Sequence, residues 1–249
     1  MQPPSHFVVI GAQRCGTTYL YRLLDEHPEI EMAKPVRPEP KFFLDDREYA
    51  RGIAHYGAEY FTAHGPRVRG EKATSYLESA VALQRIETSI PGAPLVVVLR
   101  DPVRRAISNY RFSIEHGSED LPMAEALRAA AEGDRPWDRH RFSVSPHDYL
   151  RRGRYVDHLA LVAQAAPSSR VIVLLLEELI ERPDVLTNLY GQLGVDRSFR
   201  PNGREVIVNA STEPPEPKDE VLESWLRHYF AEPNRQLAQY LGRPLPWPS

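Results

Sequence analysis

The stretch "FVVIGAQRCGTTYLYRLLDEHPEI", residues 7–30, decides the fold. It opens on a continuous apolar run, "FVVIGA" (7–12), of the kind that forms a strand covered on both faces. It closes on a helical pattern, with Leu20, Leu23 and Leu24 on one stripe and a stop at Pro28. Between the two, Gly11 and Gly16 stand five apart and Thr18 takes the hydroxyl place of the pattern G-x-x-x-x-G-K-[ST]. Thr17 stands where that pattern has lysine. A strand, a glycine-bearing loop and a helix together make an anion site, because N–H groups at the helix start point outward and the helix dipole favours negative charge. Thr17 and Thr18 add hydroxyl donors and Arg14 adds a fixed positive charge. These favour phosphate binding over an ordinary tight turn relieved by its glycine.

Outward from this stretch, two further apolar runs read as strands: "LVVVLR" (95–100) and "VIVLLLEEL" (171–179). Helical patterns fall at 77–90, 122–132, 153–166, 184–193 and 219–241. Asp101-Pro102 has the form of an N-cap followed by proline at the first helical position, so a helix is predicted directly after Arg100. Strands separated by helices predict a single α/β domain with a central parallel sheet. Ligands in such sheets sit beyond the carboxyl ends of the strands, where both Gly11 and Arg100 fall. Residues 31–47 and 196–218 are charged and broken by prolines, and read as long surface loops.

With 249 residues and 42% hydrophobic content, the chain can bury one sizeable core. Its net charge of −3 gives no global basic field, which argues against nucleic acid as a partner. One cysteine excludes an internal disulfide framework and fits a reducing compartment. The start "MQPPSHFVVI" lacks a basic signal-peptide region, and no window reaches the ~20 apolar residues of a membrane span. A soluble, cytoplasmic protein is the expectation. The nine histidines lack ligand spacing with carboxylates, so no metal site is expected.

A second anion anchor lies in "LVVVLRDPVRRAISNY" (95–110), where Arg100 closes the strand and Ser108 follows about two helical turns later. A guanidinium and a hydroxyl placed so can grip one anion. The two anchors together, "GAQRCGTT" (11–18) and "RDPVRRAIS" (100–108), resemble the sulfotransferases that use 3′-phosphoadenosine 5′-phosphosulfate (PAPS). "PEPKFF" (38–43) and "GEKATSYL" (70–77) resemble the Glu-x-x-Phe-Phe and Glu-Lys-x-x-x-Tyr segments of the heparan-sulfate-like and bacterial branch.

This resemblance implies a P-loop-like nucleotide-binding fold over residues 1–249, with acceptor-side loops around 34–76 and 196–218. It implies PAPS as co-substrate and the 3′,5′-bisphosphate PAP as product, with no metal required. Gln13, Arg14, Cys15, Gly16, Thr17 and Thr18 would hold the 5′-phosphosulfate, and Arg100 and Ser108 the 3′-phosphate. Glu39 would be the base that takes the acceptor's hydroxyl proton, aided by Arg14 and Lys72. The acceptor would be a carbohydrate or a natural-product hydroxyl, less readily an amine.

Two departures from the family pattern stand out: Arg14 replaces the loop lysine, and Pro38 stands where lysine often precedes the glutamate. Lys34, Arg37 or Lys41 are candidates for the missing charge. Rival bases are His55, His64, His116 and Glu71, the last expected to be ion-paired with its neighbour Lys72. Cys15 reads either as a small side chain in a crowded turn or as a thiol activated by the helix start. The run "LRRGRY" (150–155) reads as a solvated helix face, or as a contact for an anionic acceptor. Outside this family, a metal-dependent kinase and a non-catalytic nucleotide binder remain as alternatives.

Overall fold

In the computed structural model, the run at residues 7–12 becomes the middle strand of a parallel sheet. The structure describes residues 5–62, 68–138, 141–142, 144–205 and 219–248. Along the chain come β1 (Ser5–Gly11), α1 (Thr17–Asp25), β2 (Ile30–Met32), α2 (Asp46–Ala50), α3 (Gly52–Tyr60) and β3 (Val68–Lys72). They are followed by α4 (Ala80–Ser89), β4 (Leu95–Leu99), α5 (Pro102–Glu115), α6 (Met123–Glu132) and α7 (Tyr155–Ala165). The last elements are β5 (Val171–Leu175), α8 (Leu176–Glu181), α9 (Pro183–Leu193) and α10 (Glu220–Leu241).

The described strands lie in the order β2-β3-β1-β4-β5, all parallel, with helices flanking the sheet. Every residue of β4 and residues 7–10 of β1 are buried, which accounts for their unbroken apolar character. The run at 171–179 is only partly strand: it turns into α8 at Leu176, because an apolar run alone does not separate a buried strand from a helix.

β2 and β3 escape a search for apolar runs. β3 reads Val-Arg-Gly-Glu-Lys, yet its last three residues are buried. It is held by pairing on both sides, with Val9 in register with Lys72 and Met32 with Gly70. Gly70 is required by packing, since a Cβ there would stand 2.3 Å from the Phe7 ring and 2.6 Å from the Met32 sulfur. α2 and α3 also arise within the segment 31–60, and Phe42, Phe43 and Tyr56 from that segment pack as core.

The domain's residues cluster into two compact units, Met1–Leu99 with Leu161–Asn209, and Arg100–Ala160 with Ala210–Ser249. The first contains the sheet. The second is helical, built on a core of Val103, Ala106, Leu127, Tyr149, Leu226 and Phe230. Within it Asp101 caps α5, accepting from the Val103 amide at 3.0 Å, with Pro102 at the first helical position as predicted. The "LRRGRY" run is not a plain solvated face. Arg152 is buried and donates to the Ser145 carbonyl at 2.7 Å and to Asn109 at 3.3 Å, while Arg151 and Arg154 pair with Asp148 and Asp157.

Candidate active site

The loop Gly11–Thr17 joins the carboxyl end of β1 to α1. The Ala12 amide donates to the Val98 carbonyl at 2.9 Å, which ties the loop's entrance to β4. Gly16 sits at φ +79°, a left-handed conformation natural to glycine, and a Cβ there would lie 2.5 Å from Leu176. Arg14 also takes a positive φ, 64°. Gln13 Nε2 donates to Glu78 at 3.0 Å, linking the loop to the turn that follows β3. Cys15 is buried, its sulfur 3.6 Å from the Gln13 carbonyl, as befits a small side chain in a crowded turn.

A helix start offers N–H groups that have no acceptor within the helix. Ser79, Asp101 and Asp219 supply side-chain acceptors at the starts of α4, α5 and α10. At the start of α1 the N-cap is Gly16, which has no side chain to cap with, and the first turn holds no acidic residue. The start of α1, with Thr17 and Thr18 as its first residues and Arg14 in the preceding loop, therefore suits an anion. A phosphosulfate group fits this donor set.

Beside the loop, β3 delivers two buried ionisable residues to opposite faces of the sheet, as strand alternation requires. Lys72 reaches the Glu39 carboxylate in an ion pair, Lys72 only 3% exposed and Glu39 16%. Thr74 completes the clamp: its amide donates to Glu39 Oε2 at 2.8 Å and its hydroxyl to the same oxygen at 3.1 Å. A carboxylate has about four acceptor positions, so three donors leave room for one more proton. Thr74 is a residue that motif reading passed over; the need of a half-buried carboxylate for N–H donors is the signal that would have found it.

Glu71 is not the partner of Lys72. It points to the other face and accepts from Tyr56 at 2.9 Å and from Tyr76 at 2.5 Å. Burial pushes its carboxyl up to about 7, with the two phenols opposing the rise and the Glu39 charge adding to it. Among the candidate cations, Lys34 turns to Asp25 at 2.5 Å and lies over the Tyr21 ring. Of the rival bases, His55 lies 3.3 Å from Glu48, and His116 stacks on Phe112. His64 lies outside the described residues, as does residues 206–218 of the predicted 196–218 loop.

Arg100 and Ser108 belong to the second unit. Arg100 is the residue after β4, and its carbonyl accepts from the Tyr155 hydroxyl at 2.7 Å. Ser108 lies two turns into α5 and is half-buried. Asp101 between them is bound by Arg227 through two contacts of 2.7 and 2.8 Å, which anchors the start of α5 to α10.

A family model for the sulfotransferase domain matches residues 4–195. Heparan sulfate glucosamine 3-O-sulfotransferase 6 of Mus musculus is 27% identical over 261 aligned positions, covering 96% of this chain and 72% of the relative. The 3B1 isoform of Homo sapiens is 31% identical, covering 77% of this chain and 45% of the relative. The membrane-associated sulfotransferase kil1 of Dictyostelium discoideum is 34% identical over 113 residues, and there the chain matches 23% of the relative's length. The chain thus spans under half of the last two relatives. The crystal structure of a sulfotransferase from Alicyclobacillus acidocaldarius superposes with a TM-score of 0.76 at 26% identity, over 98% of each chain. Among the described residues no helix is long and apolar enough to cross a membrane. The parallel sheet, its glycine-bearing strand-to-helix loop and these matches agree: the chain belongs to the sulfotransferase family.

Proposed function

We propose that the protein transfers the sulfuryl group of PAPS to a hydroxyl of a carbohydrate, with Glu39 as base. The observation that carries this reading is the Glu39–Lys72–Thr74 clamp, held beside the β1–α1 loop by the pairing of β1 with β3. The relatives named for heparan sulfate favour a sugar acceptor over other natural products. A single cysteine fits the cytoplasm.

In this reading PAPS supplies an activated sulfuryl group with a good leaving phosphate. The chain's own work is positioning and charge stabilisation. The first amides of α1, with Gln13, Arg14, Cys15, Gly16, Thr17 and Thr18, form the cradle for the 5′-phosphosulfate. Arg100 and Ser108 bind the 3′-phosphate. Glu39 uses its remaining acceptor position to take the proton of the attacking hydroxyl. Lys72 holds that carboxylate in place and orients the acceptor. Arg14, being guanidinium rather than ammonium, binds by a fixed fork of donors.

Incubation with 35S-labelled PAPS and desulfated heparan sulfate, without added metal, tests the reading. Label on the polysaccharide is the expected result. Label retained by PAPS, or transferred only to phenolic or lipid acceptors run in parallel, would overturn the carbohydrate assignment.

A further inference from the structure

We propose that Glu71, acting through Tyr76, is a positioning residue that fixes the loop carrying Glu39. The inference rests on Glu39 being the base, and it concerns a carboxyl that does not touch the reacting groups.

The hydrogen bonds run in one direction. The Phe43 amide donates to the Tyr76 hydroxyl at 3.1 Å, and that hydroxyl donates to Glu71 Oε1 at 2.5 Å. Tyr56 donates to Glu71 Oε2 at 2.9 Å. Burial beside the carboxyl holds both phenols well above their usual range, so both remain proton donors. An ionised Glu71 accepts both phenolic protons and leaves the Tyr76 oxygen free to take the Phe43 N–H. A protonated Glu71 has its own proton to place, so one of the two phenol protons loses its acceptor and the chain weakens at Tyr76.

Phe43 lies four residues after Glu39. The segment between them is therefore held at both ends by the end of β3: Lys72 and Thr74 grip Glu39, and Glu71 grips Phe43 through Tyr76. The groups facing Glu71 are Tyr56 from α3, Tyr76 from the turn after β3 and the Glu39 charge from the loop. Tyr60 and Arg69 act on Tyr56, and the His6 ring stands 6.2 Å from it. No cation is among the groups acting directly on Glu71, and burial places its titration near 7, where the clamp engages as pH rises.

Site-resolved amide hydrogen exchange, corrected for intrinsic pH dependence, reads this directly. In the wild-type protein, protection of Phe43 and Thr74 should rise together by about tenfold between pH 6 and 8, the response of a single ionisation over ~1 unit on either side of its midpoint. Glu71→Gln should hold both low at every pH. Tyr76→Phe should abolish the pH response, whereas Tyr56→Phe should keep it and move its midpoint upward, because Glu71 loses one donor to its ionised form. Phe43 protection that ignores pH, or Thr74 protection that does not follow Phe43, overturns the proposal. The base assignment is tested apart from it, by turnover of Glu39→Gln.

Discussion

Glu39 and Lys72 lie 33 residues apart, and each is nameable from sequence as part of a catalytic pattern; their ion pair is not. The pairing follows from strand alternation on β3, which turns Lys72 toward Glu39 and Glu71 away from both. In the proposed mechanism Glu39→Gln keeps the shape and one acceptor oxygen but removes the base. kcat should fall by about 100- to 10,000-fold. PAP affinity by calorimetry should stay within about twofold, because the β1–α1 loop is untouched. Turnover equal to wild type would remove Glu39 from the mechanism. Arg100→Ala tests the other anchor. Loss of one charge-assisted contact to phosphate costs about 1.5–3 kcal/mol, so PAP should bind roughly 10- to 100-fold more weakly. Adenosine 5′-phosphosulfate, which lacks the 3′-phosphate, should bind as before. Equal loss for both ligands would mean that Arg100 does not read that group.

The elements differ in how far their sequence announces them. β1 and β4 are buried along their length, so their residues carry the apolar run that a covered strand needs. The start of α5 is equally plain, because Asp101 and Pro102 are a local stop-and-start signal that owes nothing to tertiary context. β3 is silent in the same terms. Its burial is met by pairing on both sides, by the missing side chain of Gly70 and by hydrogen bonds to Glu71, none of which raises its hydropathy. The proposed site inherits this asymmetry: the two segments proposed as anion anchors stand in the sequence as motifs, whereas Thr74 and the Glu71–tyrosine chain depend on what β3 brings together. Asp101 itself does more than cap. It is 2% exposed and holds Arg227 of α10 by two contacts. Asp101→Asn keeps the capping oxygen but leaves Arg227 without its main counter-charge, and should cost about 3 kcal/mol. Asp101→Ala should cost about 1 kcal/mol more, the value of the cap. Urea unfolding midpoints separate the two contributions; identical losses would assign the whole effect to the ion pair.

At the scale of the whole molecule, two buried carboxyls pull stability in opposite directions with pH. Glu119, in the helical unit, is driven upward by burial, but Arg135, the Leu121 and Asp120 amides and Tyr149 outweigh this and hold it at about 2. Its contribution is present above the usual carboxylate value of 4.5 and is lost as pH falls through about 2. Glu71, in the sheet unit, is the reverse case. Its carboxyl titrates near 7 in the folded chain against 4.5 when unfolded, so folding takes up a proton between those values. That contribution is complete below 4.5 and is lost as pH rises through 7, with a slope of up to ~1.4 kcal/mol per pH unit. Near neutrality the protein therefore carries an ionising carboxyl that lowers its stability while tightening the Phe43 clamp. Glu71→Gln cannot titrate, and the difference in unfolding free energy between variant and wild type cancels the other ionisable groups. That difference should move in the variant's favour as pH rises from 5 to 7 and level off above 7.5. A difference that is flat with pH would mean that Glu71 ionises alike in the folded and unfolded chains, and that its burial is offset by the two tyrosines alone.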